Sequence, residues 1–130
     1  MAANASRKRR GADTQAVVAR WFQGNGWQYA ESAGAGRQGS DITGMPGLAC
    51  EVKARRAYSP LAWLRQASVN SGLPFVIHRP DGLGPASVDS WPVTLRLSDF
   101  TILLHEAGFG DPAGDHANGQ VTGKRPTPQE

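Results

Sequence analysis

The sequence predicts an α/β domain, with a mixed sheet flanked by helices. Three observations lead there. Apolar residues recur at spacings of three and four near the start of the chain and again near Phe100. Two short runs, LACEVKA and LPFVIH, have strand character. The elements follow the order helix, three strands, helix, strand, loop, strand, helix. With 130 residues and 39% hydrophobic content, the chain suits one small domain. Strand pairing stays open at this level.

Residues 1–11 are polar and basic and read as a disordered arm. A helix follows from Thr14 to Gln23, capped by Asp13 or Thr14 and ended by Gly24-Asn25-Gly26. Val17, Val18, Trp21 and Phe22 form its apolar stripe. Trp27 to Ser32 reads as a strand, followed by the glycine-rich loop AGAGRQGS. Asp41-Ile42-Thr43 reads as the second strand and Leu48 to Ala54 as the third. Met45-Pro46-Gly47 between them has the residues of a type II turn. Ser59-Pro60 starts a helix that runs to Asn70, with Leu61 and Leu64 facing the sheet. Leu73 to His78 and Val93 to Leu97 are strands separated by a long loop. Ser98 caps a last helix through Ala107. The domain thus spans residues 12–109. Residues 110–130, rich in Gly, Pro, Asp, Asn, Thr and Gln, read as a disordered tail.

Composition narrows the function classes. The formal charge is a modest +3, but four basic residues stand together in SRKRRG, and Lys53, Arg55 and Arg56 form a second cluster. Such patches suit a polyanion such as nucleic acid, or serve solubility. The single cysteine, Cys50, rules out an intrachain disulfide and a Cys-based zinc site, and reads as a buried thiol in a reducing, cytoplasmic compartment. The basic N-terminus lacks the apolar stretch of a signal peptide, and no segment reaches the roughly 20 apolar residues of a membrane span. The sequence holds no G-x-S-x-G elbow or P-loop, and the spacing of His78, His105 and His116 matches no metal cluster.

The chemistry concentrates in GSDITGMPGLACEVKARR. Strand alternation puts Ala49, Glu51 and Lys53 on one face and Leu48, Cys50, Val52 and Ala54 on the other, apolar face. A hairpin through Met45-Pro46-Gly47 brings Asp41 back toward Glu51. Two carboxylates so placed suit Mg²⁺ or Mn²⁺, with the Cys50 backbone carbonyl as a further ligand. Lys53 can orient water, offset phosphate charge or, deprotonated, act as a base. The alternative is a polar strand face with no catalytic role.

Asp41 followed by Glu51-Val52-Lys53 resembles the PD-(D/E)xK nuclease superfamily. The likeness is nearest to archaeal-type Holliday junction resolvases and their small phage-encoded relatives, and covers about Arg9 to Phe109. It is carried by RRG before the first helix, SAGAGRQGSDI, EVKARR and a following helix with Gln66. The resemblance implies a restriction-endonuclease-like core and metal-dependent hydrolysis of phosphodiesters in branched or duplex DNA, four-way junctions above all. It further implies a homodimer and a bacterial cell or phage-infected host. Asp41 and Glu51 match the metal-binding acids and Lys53 the motif lysine.

Where resolvases carry a glutamate on the first helix, this chain has Gln15, which can ligate through its oxygen but adds no charge. Ser32 falls where they have a serine-glycine loop near the scissile phosphate. Ser40 replaces the usual proline before the first acid. Gln66 falls where relatives place a glutamine close to the site.

Around these residues, Gly34, Gly36 and Gly39 allow backbone N–H groups to approach a phosphate, with Arg37 adding charge. Arg55 and Arg56 flank the site, and Arg7, Lys8, Arg9 and Arg10 form a basic arm able to grip DNA without sequence preference. Trp63 is either a stacking surface or a packing residue. Two other functions fit the same residues: a restriction-like or repair endonuclease on ordinary duplex, and a non-catalytic nucleic-acid-binding protein of this fold. For a dimer, the strand around Leu95 and the last helix, with Phe100 and Leu104, are equally eligible interfaces.

Overall fold

A computed structural model describes residues 2–34 and 38–112 of the chain. Expectations for Gly36, Arg37 and residues 113–130 therefore lie outside the described residues. The chain divides into two compact units, Met1–Leu95 and Arg96–Glu130.

The first unit begins with α1 (Ala2–Gln23), followed by β1 (Glu31–Ser32), β2 (Ile42–Thr43) and β3 (Leu48–Lys53). Then come α2 (Pro60–Ser68), β4 (Leu73–His78), a 3-10 helix (Pro85–Ser90) and β5 (Val93–Thr94). The strands form one five-stranded mixed sheet in the order β1-β2-β3-β4-β5. Only the β3–β4 pair is parallel, because α2 carries the chain back between them.

The basic segment is helical, not a disordered arm: α1 starts at Ala2. Alanine, arginine and lysine are strong helix formers, and one interior glycine, Gly11, costs only about 1 kcal/mol. Thr14 is accordingly not a cap. It is fully buried inside α1, its hydroxyl donates to the Arg10 carbonyl at 2.7 Å, and it accepts from Arg79 Nη1 at 3.1 Å.

Val17 and Val18 of α1 pack on the sheet with Ile42, Cys50, Val52, Phe75 and Ile77. Phe22 joins them, edge-on to Phe75 and Trp27, while Trp21 is exposed rather than part of the stripe. The other sheet face is covered by α2. Trp63 and Leu64 pack with Val76 there, so Trp63 is a core residue and Leu61, 60% exposed, is not.

Met45-Pro46-Gly47-Leu48 forms the expected turn, with Leu48 N–H bonded to Met45 O at 3.1 Å and Gly47 at φ +80°. Gly72 approaches this turn so closely that a Cβ would lie 2.7 Å from the Gly47 carbonyl. There Leu73 N–H donates to Gly47 O at 2.8 Å, the first bond of the parallel pair.

Other boundaries moved. The 27–30 segment is a turn, closed by Ala30 N–H on Trp27 O, so β1 starts only at Glu31. β5 stops at Thr94, and Leu95 packs partly against the core. The second unit holds α3 (Leu97–Glu106), preceded by Arg96 rather than capped by Ser98; Arg96 Nε pairs with Asp99 Oδ2 at 2.8 Å. Leu97, Phe100, Ile102, Leu103 and Leu104 of α3 are all exposed. No helix among the described residues is long and apolar enough to cross a membrane.

Candidate active site

The central acid is fixed by backbone on both sides. Asp41 precedes β2, and its carbonyl accepts Ala33 N–H at 2.8 Å. Its own N–H donates to Cys50 O at 2.9 Å, and its carboxylate Oδ2 accepts Val52 N–H at 2.8 Å. The side chain thus extends the β2–β3 ladder ahead of the first residue of β2.

Glu51 sits one residue before that contact, on the face of β3 covered by α2. It is only 4% exposed, deeper than a half-open strand face would place it. Lys53, two residues on and on the same face, holds Nζ 3.2 Å from Glu51 Oε2 and donates to Gln66 Oε1 at 2.8 Å. Lys53 is therefore anchored between strand and helix.

The electrostatics follow from this burial. Desolvation raises the Asp41 pKa, outweighing the Val52 N–H bond, the Lys53 charge and contact with Glu51, all of which lower it. Desolvation also raises the pKa of Glu51, and the Asp41 charge adds to it against the pull of Lys53. The charge of Asp41 works against ionisation of Glu51, so the two neighbouring carboxyls resist being charged together. On the opposite face, the Cys50 thiol is buried, and desolvation pushes its pKa far up, with the charges of Asp41 and Glu51 adding to the shift. It is an inert thiol.

This donor set fits a hard divalent cation. Two desolvated carboxyls that resist joint ionisation are relieved by a positive charge between them. Among the described residues no group of three or more His, Cys, Asp or Glu side chains is placed to hold a metal. Carbonyl, amide or water oxygens would complete the shell, as Mg²⁺ commonly requires.

The expected Cys50 carbonyl is already engaged by the Asp41 N–H. Lys53 O accepts Arg79 N–H on the β4 side, so alternation turns the Val52 carbonyl to the Asp41 side. The Val52 carbonyl is therefore a second candidate ligand beside that of Cys50, whose oxygen keeps one lone pair.

A cleft of about 770 Å³ opens over the site, lined by Gln15, Asp41, Glu51, Lys53 and Gln66 together with Arg7, Arg10, Arg55, Arg56 and Asp81. A second, of about 390 Å³, shares Asp41, Glu51 and Gln66 and continues past Gln38, Gly39 and Asn70. The two acids therefore line both grooves. Gln15 and Ser32, expected near the site on separate elements, meet: the Ser32 hydroxyl donates to Gln15 Oε1 at 2.9 Å. That leaves the Gln15 amide NH₂ and one oxygen lone pair for a ligand.

Not every expected phosphate contact converges. Helix geometry turns Arg7 and Arg10 into the cleft, whereas Lys8 and Arg9 do not line it. Gly34 is exposed outside both grooves.

Asp81 lies on the cleft beside Arg10 and Arg56. His78 is buried between Tyr58 and Trp63, and its Nε2 lies 2.9 Å from Arg55 O. No local spacing signals either one, since their partners are remote in sequence. Comparison with protein-family models, curated proteins and solved structures found no match.

Proposed function

We propose that the chain is a divalent-metal-dependent endodeoxyribonuclease of the PD-(D/E)xK kind, acting on four-way DNA junctions. The observation that carries this reading is the desolvated Asp41–Glu51 pair held beside the Lys53 ammonium, in a cleft flanked by Arg7, Arg10, Arg55 and Arg56.

Asp41, Glu51 and the carbonyl of Cys50 or Val52 would hold Mg²⁺ or Mn²⁺. The bound ion supplies a Lewis acid for the scissile phosphate and a water of lowered pKa. The protein's own groups do the rest. The arginines draw the backbone into the cleft and set its register. Lys53, steadied by Glu51 and Gln66, offsets charge on the phosphate or orients the attacking water. Gln15 and Ser32 present polar atoms from the α1 and β1 side. Two grooves lined by the acids suit a strand that passes across the site.

Cutting two symmetric strands of a junction calls for two such sites, which a twofold dimer provides. The exposed apolar side chains of α3 favour it over the Leu95 strand as the dimer contact.

The test is incubation of the protein with a labelled four-way junction and a matched linear duplex, in Mg²⁺, Mn²⁺ or EDTA. Asp41→Asn and Glu51→Gln run in parallel. Paired symmetric junction cuts, lost in EDTA and in both variants, are expected. Equal cutting of linear duplex would instead make the enzyme a general endonuclease. Metal-independent binding without product would leave a nucleic-acid-binding protein.

A further inference from the structure

Three segments remote in sequence meet on the larger cleft: Arg10 from α1, Arg56 from the loop after β3 and Asp81 from the loop after β4. Asp81 Oδ1 lies 3.5 Å from Arg10 Nη2, and its Oδ2 lies 3.5 Å from Arg56 Nε. One carboxylate thus divides its two oxygens between two guanidinium groups.

These contacts do little for the fold. The Arg10, Asp81 and Arg56 side chains are 36%, 55% and 93% exposed, and both distances are long. Exposed pairs of this kind are weak and are screened by salt. An acid placed in a cleft of arginines also opposes any anionic ligand. Its position has a chemical reading. A phosphodiester, like a carboxylate, carries one negative charge on two terminal oxygens, and guanidinium groups pair with both.

We infer that Arg10 and Arg56 form a seat for one backbone phosphate of the nucleic acid. Asp81 fills that seat in the free protein and is displaced when the phosphate arrives. The inference rests on the nucleic-acid reading of the cleft and adds a named phosphate position with its built-in competitor. Because the phosphate replaces a carboxylate, the seat yields little net gain with a free anion. It responds to a strand already held by the rest of the cleft.

The experiment measures binding of the full chain to labelled duplex and junction DNA by fluorescence anisotropy, in EDTA, over a range of salt. Asp81→Asn is compared with wild type, alone and combined with Arg10→Gln plus Arg56→Gln. Circular dichroism checks that each variant folds. With the competitor removed, affinity at low salt is expected to rise about two- to fivefold. The slope of log affinity against log salt should steepen by less than about 0.9, the value of a whole phosphate contact, because the wild type also seats that phosphate once Asp81 has moved. Both changes should vanish when the arginines are absent, since the cycle isolates the coupling.

A gain that persists without the arginines reflects general charge and overturns the seat. No gain, in a protein that binds DNA and cuts it in Mg²⁺ through Asp41, overturns the seat but not the nuclease. Absence of DNA binding in every variant overturns both. Inorganic phosphate alone, in a thermal-shift arm, should leave the wild type unmoved. Stabilisation of the wild type by it would assign the seat to a free anion and overturn the displacement by DNA.

Discussion

Val52 donates its backbone N–H to Asp41 Oδ2 at 2.8 Å, tying the first acid to the strand that carries the second. The link makes the position of Asp41 a property of β3 rather than of the hairpin loop. It engages one lone pair of Oδ2 and leaves the rest of the carboxylate for a ligand. Asparagine can accept the same N–H through its amide oxygen, which makes Asp41→Asn a test of charge with geometry retained. Turnover should fall by at least about 10²–10³-fold, the scale seen when one electrostatic stabiliser is removed. Single-turnover cleavage measures it.

The same variant should be more stable than wild type at neutral pH without metal. The folded pKa of Asp41 is raised by burial, so the native state holds protons that the unfolded chain releases. Stability from this group is therefore fully present below the ordinary carboxylate value and falls as pH rises through the raised folded value. Removing the charge abolishes that loss. Thermal melts in EDTA should show Asp41→Asn above wild type near pH 7, with the margin closing as pH is lowered into the ordinary carboxylate range. A margin independent of pH would contradict the assignment.

Gln66 acts through Lys53, whose ammonium it meets at 2.8 Å. Gln66→Leu leaves the Glu51 pair but frees the lysine to swing. A loss of about 10²-fold in kcat is expected from such misplacement. KM should change little, and DNA affinity in EDTA should stay near wild type. Gln66→Asn, too short to span the gap, should not rescue, whereas Gln66→Glu should restore lysine placement. A loss confined to KM would make Gln66 a DNA contact instead.

Gln15 accepts the Ser32 hydroxyl, as a glutamate at that position also would. Gln15→Glu therefore adds a third carboxylate to the cleft without removing that bond. The Mg²⁺ concentration for half-maximal activity should drop by about tenfold. The melting temperature in EDTA should fall, because another negative charge joins two that already resist ionising. Isothermal titration with Mg²⁺ gives an activity-independent readout.

Gly72→Ala tests the hinge between α2 and β4. Gly72 has φ +104°, and its added Cβ would press on the Gly47 backbone at 2.7 Å. Gly26→Ala is the control, since φ is +109° there with nothing within 4 Å. The control should cost about 1 kcal/mol in urea unfolding, and Gly72→Ala about 2–4 kcal/mol. Equal costs would mean that strain alone, not the close approach, matters at residue 72.

Much of this architecture was legible locally. β4 has the boundaries its apolar run predicts, and Met45-Pro46-Gly47 turns as proline and glycine require. Alternation along LACEVKA correctly put Glu51 and Lys53 together. Each of these depends on residues a few positions apart, where periodicity and turn chemistry operate. Leu61 is exposed where the spacing turned it to the sheet, because a helix with apolar residues on two sides does not announce which side meets the sheet; of the two roles open to Trp63, packing is the one it has. The basic segment was read as an arm from its charge, although its helix propensity was equally visible.

By itself, the sequence pointed to Asp41, Glu51 and Lys53 coming together, through strand alternation and the turn at Met45-Pro46-Gly47. Only the tertiary structure decided their state. Burial raises the pKa of both acids, and the Asp41 N–H engages the Cys50 carbonyl while strand alternation turns that of Val52 toward Asp41. Asp81 meets Arg10 from 71 residues away. Desolvation and long-range pairing depend on what covers a residue, and no local pattern in the chain encodes that.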